Sequence, residues 1–182
     1  MTNQLEDKVL KRALAVREHY ASSARHFSNF LIYGDFGTGK TRLATTCPTP
    51  VWIDSFDPGG TKTSALQPLI ERGDVVVCNK WEVDSWKQPW AFREWEREMF
   101  EREREGLFAA VGTYILDSVT KWSDSLMFAI LQTGTRGKSR VGQIPELQDY
   151  LTQQLTSIDW IGKIKTFPSH TDLTGHNRVM KH

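Results

Sequence analysis

Short runs of apolar residues recur along the chain and alternate with segments in which apolar residues have helical spacing. Glycine, proline or polar residues bound each run, which is typical of strands buried on both faces of a sheet. The runs cover residues 30–33, 51–54, 74–79, 111–118 and, more weakly, 170–176. Five short strands are therefore predicted.

Four segments have the periodicity of helices. They cover residues 4–20, about 90–105, 120–131 and about 145–165. Glu and Arg alternate densely in the second, with pairs such as Arg97 and Glu101 one turn apart, which favours a solvated face. Strands that alternate with helices predict an α/β fold with a parallel sheet. We expect residues 1–27 to form an N-terminal helix and connector, and residues 28–182 to form the core.

Length, net charge and cysteine content indicate which classes of protein the chain fits. The 182 residues suffice for one domain, and the net charge of +1 gives no overall field that would attract nucleic acid, so any such binding needs a local patch. We see no apolar run of membrane-spanning length and no signal peptide. The two cysteines, Cys47 and Cys78, form no metal-type cluster. The simplest expectation is a cytoplasmic protein with reduced thiols and no membrane partner.

A glycine-rich loop directly follows the first predicted strand. The spacing Gly34-x4-Gly39-Lys40-Thr41 matches the P-loop, or Walker A, pattern in full. Its glycines allow a tight turn that brings successive N–H groups to phosphate oxygens. Lys40 is placed to reach the β- and γ-phosphates and Thr41 to offer a hydroxyl to Mg²⁺, while a helix from about Lys40 directs its positive end at the phosphates.

This loop predicts a nucleoside triphosphate site rather than a structural turn, because an apolar strand precedes it and a possible helix follows. The expected nucleotide-binding residues are Gly34, Asp35, Phe36, Gly37, Thr38, Gly39, Lys40, Thr41 and Arg42.

Acidic residues end two other predicted strands. The apolar run 111–118 contains Asp117 near its end, which downstream of a P-loop is the Walker B arrangement, with Asp117 in the Mg²⁺ shell. The strand 51–54 ends in Asp54, and Asp57 follows in a glycine-rich loop. Ligands bind at the carboxyl ends of strands in such sheets, so both acids are candidates. A solvent-facing turn is the alternative.

The segment 132–142 is basic and rich in glycine. It carries Arg136, Lys138 and Arg140 and no acid, which suits contact with a phosphate backbone. The alternative is an ordinary surface loop. A nucleic-acid contact through these three cations stays a prediction at this point.

The motifs resemble those of RecA-type recombinases. Ile115-Leu116-Asp117-Ser118 looks like their Walker B strand, and the Asp-Glu of most AAA+ ATPases is missing there. Residues 51–57 are similar to the RecA segment whose glutamate activates water, but Phe56 occupies that glutamate's position. The resemblance therefore leaves Asp57, or less readily Asp54, to orient the attacking water. The whole layout most resembles the short phage ATPases with a RecA-like core that are associated with single-strand annealing and recombination.

The resemblance implies a three-layer P-loop NTPase with a mostly parallel RecA-like sheet, in which the fifth strand lies between the Walker A and Walker B strands. It places His176 at the γ-phosphate as a sensor and makes 132–142 the first DNA-binding loop. Further strands would follow His176, so the core looks shortened at its C-terminal end. A homo-oligomer, as a ring or filament, is implied, with a single-stranded DNA-binding protein as a possible partner in the cytoplasm of a bacterial host.

These observations predict a Mg²⁺-dependent ATPase that acts on single-stranded DNA. Lys40, Asp57, Asp54, Asp117 and His176 are its candidate catalytic residues. Two alternatives stay open. One is a nucleotide or small-molecule kinase, which would transfer the phosphate to an acceptor. The other is an assembly module that binds ATP without hydrolysing it, an alternative that Phe56 supports.

Overall fold

A five-stranded parallel sheet forms the centre of the protein. The computed structural model describes residues 10–14, 27–134 and 139–176. The strands are β1 (Asn29–Gly34), β2 (Val51–Ser55), β3 (Val75–Cys78), β4 (Thr113–Asp117) and β5 (His170–His176). Their order is β1-β5-β4-β2-β3, and every pairing is parallel. The predicted α/β class is confirmed, and β5 lies between β1 and β4 as the resemblance implied.

Helices cover both faces of this sheet and give the fold three layers. They are α1 (Gln67–Glu71), α2 (Ala91–Arg104), α3 (Leu107–Ala110), α4 (Val119–Thr133) and α5 (Leu147–Ile164), with 3₁₀ helices at Thr41–Thr46 and Lys80–Val83. Within the described ranges, every helix is too short or too polar to pass through a lipid bilayer. The helix predicted over 4–20 lies mostly outside these ranges, and only 10–14 is seen as helical.

Strand alternation divides the core into two parts. Val51 and Ile53 of β2 point to the side of the Thr41–Thr46 helix and α1, where they pack with Leu66, Val75 and Ile115. The intervening residues of β2 point to the opposite side, which holds a larger cluster under α2, α4 and α5. That cluster is rich in aromatic side chains, including Trp81, Trp95, Trp122, Trp160 and Tyr114.

Side-chain caps fix where the three long helices begin. Asp84 Oδ1 accepts hydrogen bonds from the N–H groups of Trp90 and Ala91, at 3.0 and 3.2 Å, at the start of α2. Ser118 Oγ accepts from Lys121 N at 3.3 Å at the start of α4. A reciprocal capping box of Glu146 and Asp149 starts α5. Each cap satisfies N–H groups that a helix cannot pair internally.

Two helical segments differ from a regular amphipathic helix. The helix after the glycine loop has 3₁₀ geometry and ends after six residues, because Pro48 and Pro50 cannot continue it. On α5, four apolar residues on one side are between about half and three quarters exposed in the described structure. This group, which we call the α5 stripe, consists of Leu147, Leu151, Leu155 and Ile158.

Candidate active site

The glycine loop runs from β1 into the 3₁₀ helix and holds Lys40 beneath it. Gly37 and Gly39 have φ of 79° and 89°, which is a left-handed conformation that residues with a Cβ rarely adopt. Lys40 is 8% exposed, and its Nζ donates hydrogen bonds to Gly34 O at 3.0 Å and to Asp35 O at 2.8 Å. The ammonium is therefore held against the inner edge of the loop, where the P-loop pattern placed it.

Asp117 lies beside this loop at the carboxyl end of β4. Its Oδ2 accepts a hydrogen bond from Thr41 Oγ1 at 2.7 Å, and its Oδ1 accepts one from Thr174 Oγ1 of β5. Its side chain is buried. Carboxylate and hydroxyl oxygens are the ligands that Mg²⁺ prefers, so Thr41 and Asp117 fit the metal of a nucleotide complex.

Asp57 and His176 meet at the same end of the sheet, although 119 residues separate them. His176 Nε2 lies 2.8 Å from Asp57 Oδ2. The backbone explains the meeting: Ser55 lies opposite Asp117, and His176 lies opposite Gly34 at the start of the loop. His176 N also donates to Thr120 Oγ1 of α4 at 2.9 Å.

A cleft of about 340 Å³ is lined by Lys40, Thr41, Asp57 and His176, and Asp117 reaches it through its hydrogen bond with Thr41. Its polar side chains offer two cations, two hydroxyls and a His–Asp pair, which is a fitting environment for a charged phosphate chain. Its lining includes Phe36, Gly37, Gly39, Lys40, Thr41, Arg42, Asp57, Gly59, Gly60, Thr63 and His176. Phe36 is 81% exposed at the tip of the loop, with its ring centroid 6.2 Å from that of His176.

Glu82, which the sequence patterns did not single out, fixes the loop that carries Asp57. Its Oε1 accepts from Ser55 Oγ at 2.6 Å and from Thr61 Oγ1 at 3.4 Å, and its Oε2 accepts from Gly59 N at 3.0 Å. These contacts join both ends of the turn around Asp57 to the 3₁₀ helix Lys80–Val83. A carboxylate with three donors is a firm anchor.

Replacing Glu82 by Ala is expected to lower kcat for ATP about 10- to 100-fold with little change in KM. Asp57 would be displaced while Lys40 and Thr41 keep their places, and small displacements of a reacting group have effects of this size. Glu82→Gln should fall between Ala and wild type, because an amide cannot accept from all three donors. Steady-state phosphate release measures both parameters.

Glu103→Ala is the matched control, since Glu103 pairs with Lys163 on the surface far from this loop in the chain. Its kcat should equal that of the wild type. A wild-type kcat for Glu82→Ala would contradict the anchoring role.

Asp54, one of the two acids considered for catalysis, lies on the opposite side of the sheet from the cleft. It is fully buried, and Arg102 Nη1 donates to both of its oxygens at 3.0 and 2.8 Å. Trp95 Nε1 and Tyr114 OH also donate to Oδ2, at 3.0 and 2.8 Å. The expectation of a catalytic Asp54 is therefore corrected: alternation along β2 turns this carboxylate into the aromatic core, where donors occupy it.

Burial and the Asp54 carboxylate change the pKa values of two neighbouring side chains, Arg102 and Tyr114. Burial opposes the charged form of Arg102 and is the largest single influence, but the combined attraction of Asp54 and other neighbouring groups, including Glu98, exceeds it and raises the pKa of the guanidinium. Burial, and then the neighbouring Asp54 carboxylate, raise the pKa of Tyr114 well above its usual value. Arg102 and Tyr114 therefore stay protonated and continue to donate, which is a structural role.

Two further side chains, Phe56 and Cys47, do not line the cleft. Phe56, at the position of the RecA glutamate, is 3% exposed and stacks on Trp81 with 5.9 Å between ring centroids. Cys47 donates its thiol to Asp172 Oδ2 at 3.2 Å. Burial and this carboxylate raise the pKa of Cys47 to about 12, so its thiol stays protonated at neutral pH and is no nucleophile.

The three cations predicted to contact DNA do not share one environment. Arg136 and Lys138 lie outside the described residues. Arg140 is 9% exposed, and its guanidinium pairs with Asp149 at 3.0 Å and with Glu146 at 3.1 Å. The sequence analysis expected Arg140 to contact DNA because its loop holds no acid, and the structure corrects that premise: two acids from the start of α5 neutralise Arg140, which joins the end of the loop to that helix.

A family model described as an AAA domain matches residues 27–181, a range that contains the glycine loop and every cleft residue described above. No curated protein matches the chain.

Proposed function

The chain belongs to the AAA domain family, whose members are generally ATPases, and we propose that its cleft binds ATP with Mg²⁺ and hydrolyses it. One observation carries this proposal. Lys40, Thr41 and the Asp57–His176 pair line a single cleft at the carboxyl end of the sheet, and Asp117 accepts the hydrogen bond of Thr41 beside it. Phosphate binding, metal binding and water activation each need one of these three groups.

Each group has a distinct part in the proposed reaction. The loop N–H groups and Lys40 bind the phosphates, and Thr41 and Asp117 hold the metal. Bound Mg²⁺ neutralises charge on the phosphate oxygens. His176 holds Asp57 through Oδ2, so that Oδ1 can accept a hydrogen bond from the attacking water and orient it. Catalysis then consists mainly of positioning and charge stabilisation.

His176 also suits the proposed sensor role. Its ring contacts Asp57, and its backbone N–H is bonded to Thr120 in the first turn of α4. That helix ends at Thr133, where the basic loop begins. A movement of His176 on loss of the γ-phosphate would therefore act directly on the helix that leads to this loop.

We further propose that this activity serves single-stranded DNA recombination or annealing, as in the phage ATPases that the motifs resemble. The resemblance and the place of the loop after α4 support this. Because Arg140 is paired with Asp149 and Glu146, the proposed contact with DNA depends on Arg136 and Lys138. These two cations predict a weak, salt-sensitive attachment.

The expected result is that single-stranded DNA raises the rate of phosphate release, and that the stimulation declines as salt rises. Replacing Arg136 and Lys138 together by Ala should remove the stimulation and leave the DNA-independent rate unchanged. Phosphate release at several salt concentrations, with and without an oligonucleotide, is the measurement. Stimulation that survives in the double variant would exclude this loop as the contact. No stimulation of the wild type would remove the DNA proposal and leave the ATPase proposal intact.

A further inference from the structure

The α5 stripe forms a continuous apolar surface along the outside of the protein. Its members follow one another by four, four and three residues, which places them on one side of the helix. Leu147, Leu151, Leu155 and Ile158 are 75%, 49%, 70% and 68% exposed, and Ile144, just before the helix, is 87% exposed. Aliphatic surface gathered in this way on one element marks an interaction site.

A comparison with α2 shows that this face is not an ordinary solvated one. α2 has five exposed residues, and four of them are charged. α5 has ten exposed residues, and Asp159 is the one charged residue among them. Since none of the exposed residues within α5 is a cation, this face does not suit nucleic acid or an anionic membrane surface. Depletion of charge around aliphatic side chains is instead the composition of the centre of a protein–protein interface.

We propose that the α5 stripe binds the α5 stripe of a second copy of this chain, in an antiparallel pair related by a twofold axis. The spacing of side chains fits this arrangement. With the axis between Gln154 and Leu155, Leu151 meets Ile158 of the partner subunit, and the two Leu155 side chains lie beside the axis. A twofold axis makes each of these contacts twice.

Side-chain size agrees with this register. Leu147 would meet Gly162 of the partner subunit, because the two positions are equally far from the axis. Gly162 is exposed, and a Cβ built on it would have nothing within 4 Å. The open space over Gly162 of one copy thus accommodates the Leu147 side chain of the other, as the packing of helix ridges into grooves requires.

Charge at the ends of the helix also favours an antiparallel pair with another copy. Glu146 precedes α5, and its side chain is 70% exposed, while the exposed Lys165 follows the helix. The antiparallel register brings Glu146 of each copy to the end that carries Lys165 of the partner subunit. A parallel pair would instead place Glu146 beside Glu146. Such charges at the rim contribute little affinity but determine orientation.

This pairing does not depend on the proposed ATPase activity, and the oligomeric state tests it. The full chain is expected to show a concentration-dependent monomer–dimer equilibrium in sedimentation velocity between about 1 and 100 μM. Leu151→Glu should weaken the dimer at least about 100-fold, because the twofold axis buries two unpaired carboxylates. Thr152→Glu, with the same charge on a different side of the helix, should dimerise like the wild type.

Two checks keep the result decisive if Leu151→Glu folds poorly. Ile158→Glu, at the other end of the contact, should have the same effect, with folding confirmed by circular dichroism. Under mild oxidation, Leu155→Cys should form a dimer disulfide, as should Leu147→Cys combined with Gly162→Cys, but Leu147→Cys alone should not exceed the unsubstituted chain. A monomeric wild type, an intact dimer in folded Leu151→Glu, or cross-linking by Leu147→Cys alone would each overturn the proposal.

Discussion

Replacing Asp57 by Asn is expected to lower kcat for ATP hydrolysis about 100- to 1,000-fold, with ATP affinity nearly unchanged. Asn keeps the size of the side chain and its contact with His176 but removes the carboxylate that orients and polarises the water, a contribution of this order. Lys40, Thr41 and Asp117 are untouched, so phosphate and metal binding should survive. Phosphate release gives kcat, and a titration with a fluorescent ATP analogue gives the affinity.

His176 supplies the control for this variant. If His176 acts by holding Asp57, then His176→Ala should lower kcat by itself but add little to Asp57→Asn, because coupled residues are not additive. Full additivity would separate the two residues into independent roles. A wild-type kcat for Asp57→Asn would exclude Asp57 as the residue that orients water.

Replacing Asp54 by Ala is expected to reduce the free energy of unfolding by about 3–5 kcal/mol. The variant leaves the buried Arg102 charge without its partner, and breaking a buried ion pair from one side has a cost of this order. Trp95 and Tyr114 would also lose the oxygen to which they donate. Urea denaturation followed by circular dichroism, with the slope of the transition compared as well as its midpoint, measures the change.

Asp74→Ala is the matched control for this experiment. Asp74 also pairs with an arginine, Arg72, at 2.9 Å, but the two side chains are 37% and 61% exposed, whereas Asp54 is fully buried. Its loss should change the free energy of unfolding by less than about 1 kcal/mol. Equal effects of the two substitutions would contradict the structural role of Asp54.

The sheet and the phosphate loop could be predicted from the sequence because their signals are local. Each strand is a contiguous apolar run, and the glycine loop with Lys40 and Thr41 is a single segment. Topology then followed from the resemblance, which placed β5 between β1 and β4. The convergence of Asp117 and His176 on this loop is a consequence of that order, since parallel strands end at one edge.

The assignments that the sequence did not give depend on distant partners. Asp54 ends the predicted strand and Asp57 follows it closely, yet only the fold shows that Asp54 points to aromatic donors 41 and 60 residues away. Glu82 lies in no motif, and its role appears only when it reaches Ser55, 27 residues earlier. Arg140 was predicted to contact nucleic acid because its loop holds no acid, and its main partner, Asp149, belongs to the next helix.

Helical periodicity had a similar limit on α5. Apolar residues from Leu147 to Ile161 predict a helix but surround more than half of it, so the pattern does not say which side faces the core. In the structure, Trp160 and Ile164 face inward with Asp149, and the α5 stripe faces outward. Burial of each side chain, rather than its apolar character, reveals the outer surface.

The fate of the γ-phosphate tests the central claim most directly. A single-turnover reaction with γ-labelled ATP, Mg²⁺ and excess protein would be quenched at intervals and separated into ATP, free phosphate and labelled protein or acceptor. Hydrolysis in the cleft predicts that the label appears as free phosphate with wild-type protein and stays in ATP with Lys40→Ala. Label in an acceptor would identify a kinase. Intact ATP bound by the wild type, or equal release by Lys40→Ala, would contradict hydrolysis in this cleft.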